Sequence, residues 1–150
     1  SVPANLKFLY SDNKSRNNYH DGIVLYVMEK MTKGQLEAKI SEAIIKFEME
    51  YMGRGPMETK TYILDDLLFV RLKGFLTQAE KTLAKTVEGA ELIKKTRVKL
   101  LGSERPVLKK IISDTTNCQI RSLHSDISTK TGEKVIVFVL DKNIENKFRH

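Results

Sequence analysis

The stretch QIRSLHSDISTKTGEKVIVFVL, residues 119–140, reads as a β-hairpin. Gln119–Ser128 is one strand, Lys130-Thr131-Gly132 the turn, and Lys134–Leu140 the returning strand. Val135 to Leu140 is apolar at every position. A strand with one solvated face alternates, so an unbroken apolar run predicts a place in the interior of a sheet. Ser122, His124 and Asp126 alternate along the first strand and share one side of it. These are the residue types of a hydrolytic triad. However, residues two apart on a strand have Cα atoms about 7 Å apart, and no nucleophile-elbow sequence accompanies them. They read as the polar face of a sheet.

Upstream, Thr59–Leu64 and Leu68–Lys73 have strand composition, joined by a turn at Asp65-Asp66 and closed by Gly74. Two capping boxes announce helices, Thr32 with Gln35 and Thr77 with Glu80. After the first, Leu36, Ile40, Ala43, Ile44, Phe47 and Tyr51 form one stripe, which predicts a helix over 33–52 stopped by Gly53 and Pro56. After the second, Leu83, Val87, Ala90 and Ile93 suggest a helix running onward, with Gly89 marking a close contact. At Gly102-Ser103 and Pro106 that helix is expected to kink or to restart with Ser103 as its cap. Val107, Leu108, Ile111 and Ile112 continue the apolar face. The expected fold is α+β, in the order α-ββ-α(α)-ββ. A four-stranded, mainly antiparallel sheet carries its long helices on one face. The other face, with Phe69 and half of the central strand, needs cover, and a homodimer would supply it.

The chain has 150 residues, 41% hydrophobic and 30% charged, which excludes wholesale disorder and suits one domain. Residues 31–150 are expected to form it. Residues 1–30, polar between Ser11 and Gly22, read as an N-terminal extension, non-native or flexible, although Ile23 to Val27 has the composition to add an edge strand. A single cysteine, Cys118, excludes an intrachain disulfide or a cysteine-rich zinc site. The three histidines are scattered, so no metal site or cofactor is expected. No apolar run approaches the roughly 20 residues of a spanning helix, and a cytoplasmic protein is expected.

The net charge of +7 admits nucleic acid, anionic lipid or an acidic protein as partner. It is concentrated in residues 94–110, where Lys94, Lys95, Arg97, Lys99, Arg105, Lys109 and Lys110 face only Glu104. Stacking aromatics, an RNP-type strand and helix-turn-helix organisation are all missing there, which lowers nucleic acid to an alternative. A second basic candidate is the glycine loop. Arg54 stands before Gly55 and Pro56, and Lys60 opens the next strand, so Arg54, Gly55 and Lys60 are taken as an anion- or partner-facing cluster. Arg97 joins it if the long helix packs nearby. Asp65, about 17 Å along the strand from Lys60, is a turn residue.

Tyr51 to Pro56 (YMGRGP), Leu72 to Thr77 (LKGFLT), Glu80 with Leu83, Gly89, Arg97, Ser125-Asp126 and Val137 to Leu140 together resemble the MpsC-like proteins. The resemblance covers residues 33–145. It departs at Gly102-Ser103 and Pro106, where the family helix looks more continuous, and residues 1–30 match nothing in it. It implies a component of a sodium-translocating, membrane-potential-generating system, associated with membrane proteins of cation or bicarbonate transport. No catalytic or ion-binding residue comes with it. The expected function is that of a non-enzymatic accessory or regulatory protein. It would bind a protein partner, a membrane transport complex, from a position at the inner face of the membrane.

Overall fold

A computed structural model describes residues 29–149, together with residues 22, 23 and 26. Most of the extension lies outside the described residues. Of the stretch considered for an edge strand, Ile23 and Tyr26 are described and are helical.

Helix α1 is Lys33–Met52, 20 residues long. Both capping-box bonds form, from Gln35 N–H to the Thr32 hydroxyl and from Thr32 N–H to the side-chain Oε1 of Gln35. Gly53 ends the helix at φ 70°, the left-handed conformation that glycine adopts without a Cβ clash. Leu36, Ile40, Ile44 and Phe47 are buried as the stripe predicts. Tyr51 is 47% exposed and instead packs its ring on Phe47, centroids 4.6 Å apart.

Strands β1 (Glu58–Leu64) and β2 (Leu67–Lys73) form the first hairpin, with Leu64 opposite Leu67. Asp65 takes φ 55° in the two-residue turn, a conformation Asp tolerates better than most residues. Strands β3 (Ile120–Ser128) and β4 (Glu133–Leu140) form the second, with a bulge between Ile120 and Ser122. The sheet order is β1-β2-β4-β3, every pair antiparallel, so β4 is an interior strand. Its apolar run divides by parity. Ile136, Phe138 and Leu140 are fully buried under the helices, each contributing about 1.5–3 kcal/mol of transfer free energy. Val135, Val137 and Val139 face the other way and are half-buried.

Between the hairpins lie α2 (Gln78–Leu83) and α3 (Val87–Thr116). The predicted interruption exists but sits elsewhere. The helix breaks at residues 84–86, leaving Leu83 and Val87 exposed, because Thr86 turns its hydroxyl to Gly89 N–H and starts a new helix. Past that point α3 runs 30 residues straight through Gly102, Ser103 and Pro106. Ser103 caps nothing and donates back to the Leu100 carbonyl at 2.8 Å. Pro106 lacks the N–H that would meet the Gly102 carbonyl, and Gly102 is exposed, so water can satisfy it.

The two glycines of α3 should therefore respond oppositely to alanine. A Cβ on Gly89 would lie 1.9 Å from the Leu83 carbonyl oxygen, whereas one on Gly102 meets nothing within 4 Å. Gly89→Ala should destabilise the protein by about 1–3 kcal/mol through forced backbone movement. Gly102→Ala should stabilise it by about 0.5–1 kcal/mol through helix propensity. Thermal melts of the two variants check both signs.

Helices α1 and α3 cover the same face of the sheet, α1 over β1 and α3 over β3. Ser41 on α1 shares a 2.8 Å hydrogen bond with Thr61 on β1. A 3-10 turn at Ile144–Phe148 then seals the hairpin end. Glu145 accepts from Asp65 N–H and pairs with Lys33 and Arg149, and these bonds, that from Lys33 foremost, hold its carboxyl down to about 2.

Candidate functional site

Three charged residues meet inside the protein, where α1, α3 and β4 converge. Lys134 lies in phase with Ile136 and Phe138, so its side chain points under the helices and is only 5% exposed. Its ammonium is 3.0 Å from Glu48 of α1 and 3.8 Å from Glu104 of α3, both as buried as itself. Burial pushes the Glu104 carboxyl up, with Glu48 adding to the rise, while Lys134 and Arg97 oppose it. Two turns before Glu104, Arg97 is buried too. Its Nε and Nη2 donate to the two carboxylate oxygens of Glu80 at 3.0 and 2.7 Å, and its guanidinium sits 4.9 Å from the Phe75 ring centre. Burial works to raise the Glu80 carboxyl, but the bonds from Arg97 and Thr77 outweigh it and hold it below its ordinary value.

Sequence reasoning did not single out Glu48, Glu104 or Lys134. A signal for them existed in periodicity. Glu48 follows Ile40 and Ile44 at four-residue steps, Glu104 precedes Leu108 and Ile112 in the same way, and Lys134 keeps the two-residue phase of β4. A small cleft of 80 Å³ opens beside the cluster, and its lining includes Arg97, Glu104 and Lys134 together with Lys94, Val98 and Asp126. Small-molecule sites usually enclose about 300 Å³ or more. Arg97, Glu104 and Lys134 around this one already have ion-pair partners, whereas Lys94 and Asp126 at its rim have none among the described residues. Its chemistry is that of a structural ion network that locks α1 and α3 onto β4. Among the described residues, no group of three or more His, Cys, Asp or Glu side chains could hold a metal ion.

The loop cluster is only partly assembled. Arg54 donates to the Leu76 carbonyl at 2.9 Å, and Arg97 stacks on the neighbouring Phe75, so the long helix does pack near the loop. The guanidinium of Arg97 is taken up by Glu80, however. Gly55 packs against Met49, where a Cβ would approach the Met49 side chain to 3.0 Å. Lys60 is turned to the open face of the sheet, 5.2 Å from the centre of the Tyr62 ring, whereas Arg54 is held at the Leu76 carbonyl. On that same open face His124 Nε2 lies 3.2 Å from the Ser122 hydroxyl. Asp126 accepts from Ile127 N–H and not from His124, so no relay of three forms.

The basic stretch also divides. Arg97 serves Glu80, Arg105 donates to the Leu123 carbonyl at 2.7 Å, and Lys110 pairs with Asp114 at 3.0 Å. Lys109 is half-buried. Lys94, Lys95 and Lys99 are exposed and have no ion-pair partner among the described residues. Beside them on α3 stand Leu92, 55% exposed, and Val98, 70% exposed. A broad, shallow depression runs over these five residues and Thr96. Residues 92–99 of α3 thus present apolar side chains among lysines without ion pairs, with Glu88 and Glu91 exposed in the turn before them.

A family model described as "Na+-translocating membrane potential-generating system (MpsC)" matches residues 32–142. The chain belongs to the MpsC family. The matched span begins at the Thr32 cap and ends just beyond β4, so it contains both hairpins, helices α1 to α3, the ion network and the α3 surface. Among curated proteins, this MpsC-family chain is 43% identical over 116 residues to the uncharacterized protein YbcI of Bacillus subtilis (strain 168), covering 77% of the chain and 94% of the relative. It is 26% identical over 113 residues to the uncharacterized protein YrhF of the same organism, covering 73% and 90%. No solved structure matches it.

Proposed function

We propose that this MpsC-family chain is a non-enzymatic accessory protein that docks, as a homodimer, on a protein of the membrane-potential-generating system named in the family description. The observation that carries this reading is the segment 92–99 of α3, where exposed Leu92 and Val98 lie among Lys94, Lys95 and Lys99. An apolar centre with a cationic rim fits a partner surface with an apolar centre and an acidic rim. Among the described residues no helix is long and apolar enough to cross a membrane. In this reading the association is by docking at the inner face of the membrane. The partner class is a membrane protein of cation or bicarbonate transport.

In the test, the full chain carries a photo-crosslinker at Val87, at the edge of the patch, and is mixed with solubilised membranes of its own cells. A discrete crosslink to a membrane protein is expected, and Leu92→Asp with Val98→Asp should reduce it at least tenfold. Both side chains are exposed, so the melting temperature should stay within the effect of about 0.5 kcal/mol. An undiminished crosslink in the double variant would overturn the docking surface. The same lysines suit nucleic-acid phosphates, for which the logarithm of affinity should fall with the logarithm of salt by about 0.9 per phosphate. Tight duplex binding at physiological salt with that slope would replace the protein partner with nucleic acid.

A further inference from the structure

The side of the sheet opposite the helices is built of four cross-strand rows. The pairing registers place Leu64, Leu67, Val139 and Ser122 in one row, and Tyr62, Phe69, Val137 and His124 in the next. Lys60, Arg71, Val135 and Asp126 follow, and then Glu58, Lys73, Glu133 and Ser128. The face is therefore graded along the strands, apolar at the Asp65 turn and charged at the other end. Tyr62 and Leu64 are 42% and 50% exposed, and a shallow depression beside them is lined by strand residues alone.

The third row is also graded across the strands. Lys60 on edge strand β1 and Asp126 on edge strand β3 are both exposed and have no ion-pair partner among the described residues. Three strand spacings, about 14 Å, separate them, so they do not meet within one chain.

We infer that this face binds a second copy of the chain, sheet on sheet, about a two-fold axis parallel to the strands. Such an axis keeps each row on its own level and reverses its order. Lys60 then lies over the partner copy's Asp126 and Asp126 over its Lys60. Lys73 lies over Glu133, and Phe69 over Val137. The other in-plane two-fold, perpendicular to the strands, keeps the order within each row but exchanges the ends of the strands. It would set Leu64 and Leu67 on Glu58 and Lys73, leaving charge against apolar surface. The inference rests on the homodimer reading but is independent of docking through α3. The face measures about 19 by 24 Å, about 900 Å² over both copies, which is the size of a weak, transient interface, so dissociation is expected in the micromolar range or above.

Sedimentation velocity of the full chain across that range tests it. A concentration-dependent dimer is expected. Lys60→Asp and Asp126→Lys should each weaken it about tenfold, since each substitution breaks both symmetry-related pairs. Combining them should restore it, because the reversed pair attracts again. Tyr62→Asp should abolish it with the far-ultraviolet circular dichroism unchanged. A monomer at every concentration would overturn both the homodimer and this interface. A dimer indifferent to all these changes would keep the homodimer but overturn this face.

Discussion

Replacing Lys134 by Met should be the most damaging single change at the surface of β4 that faces the helices. It leaves Glu48 and Glu104 facing each other inside the protein with no cation between them. Removing one partner of a buried ion cluster costs about 3–5 kcal/mol, which corresponds here to a melting temperature lower by about 10 °C or more. The pH dependence has a definite sign. Burial already pushes the Glu104 carboxyl up, and without the ammonium nothing but Arg97 opposes that rise. A carboxyl whose folded value is raised favours the folded state when protonated, and that advantage is lost as pH rises through its folded value. The Lys134→Met variant should therefore recover part of its deficit on moving from pH 7 to pH 5. Removing both carboxylates as well, in Lys134→Met with Glu48→Leu and Glu104→Leu, should restore most of the stability, because an apolar trio needs no desolvation of charge. Melts of the single and triple variants at both pH values check this. A single variant as stable as the parent at pH 7 would contradict it.

Arg97→Met should be nearly as costly, for a different reason. Helix α2 has no buried residue of its own, so the packing that holds other helices is missing from it. It is tied down by the capping box at Thr77 and by the two parallel bonds from Arg97 to Glu80. Loss of a hydrogen-bonded, largely buried pair of this kind costs about 3 kcal/mol. Hydrogen exchange should show the loss concentrated in residues 75–86. Arg97→Lys should recover only part, since an ammonium is a point charge that can neither fork onto Glu80 nor lie flat over Phe75 in the same way. The carboxyl of Glu80 is held below its ordinary value in the parent, so the parent's contribution is present above about pH 4.5 and fades as pH falls. The difference in melting temperature between parent and Arg97→Met should accordingly narrow from pH 7 to pH 4. A constant difference would show that Arg97 acts through packing rather than through its charge.

Both predictions concern residues whose roles sequence reading assigned differently or not at all. Arg97 reads as a cation available to a ligand because it sits in a run of lysines. That run is a property of the chain, whereas neutralisation by Glu80, 17 residues away, is a property of the packed state. The same separation applies to Arg105, turned onto the Leu123 carbonyl, and to Lys60, turned away from Arg54 onto the open sheet face. Only Lys94, Lys95 and Lys99 keep the character that charge counting assigned to the whole stretch.

Local chemistry was sufficient wherever a structure is closed by residues near one another in sequence. The capping boxes at Thr32 and Thr77, the glycine stop at Gly53 and the Asp65-Asp66 turn all involve neighbours a few residues apart, and all are legible in the order of side chains. Tertiary structure alone decided the break between α2 and α3. Leu83 and Val87 continue a helical stripe in sequence, and only the close approach of Gly89 to the Leu83 carbonyl shows that the chain turns between them. The apolar run put β4 in the interior, but tertiary structure alone chose β2 over β1 as its second neighbour, since antiparallel hairpins can pair by either edge. It also chose the partners of the buried charges. A Coulomb contact depends on distance in space and on exclusion of water, and neither is set before α1, α3 and β4 close over Lys134.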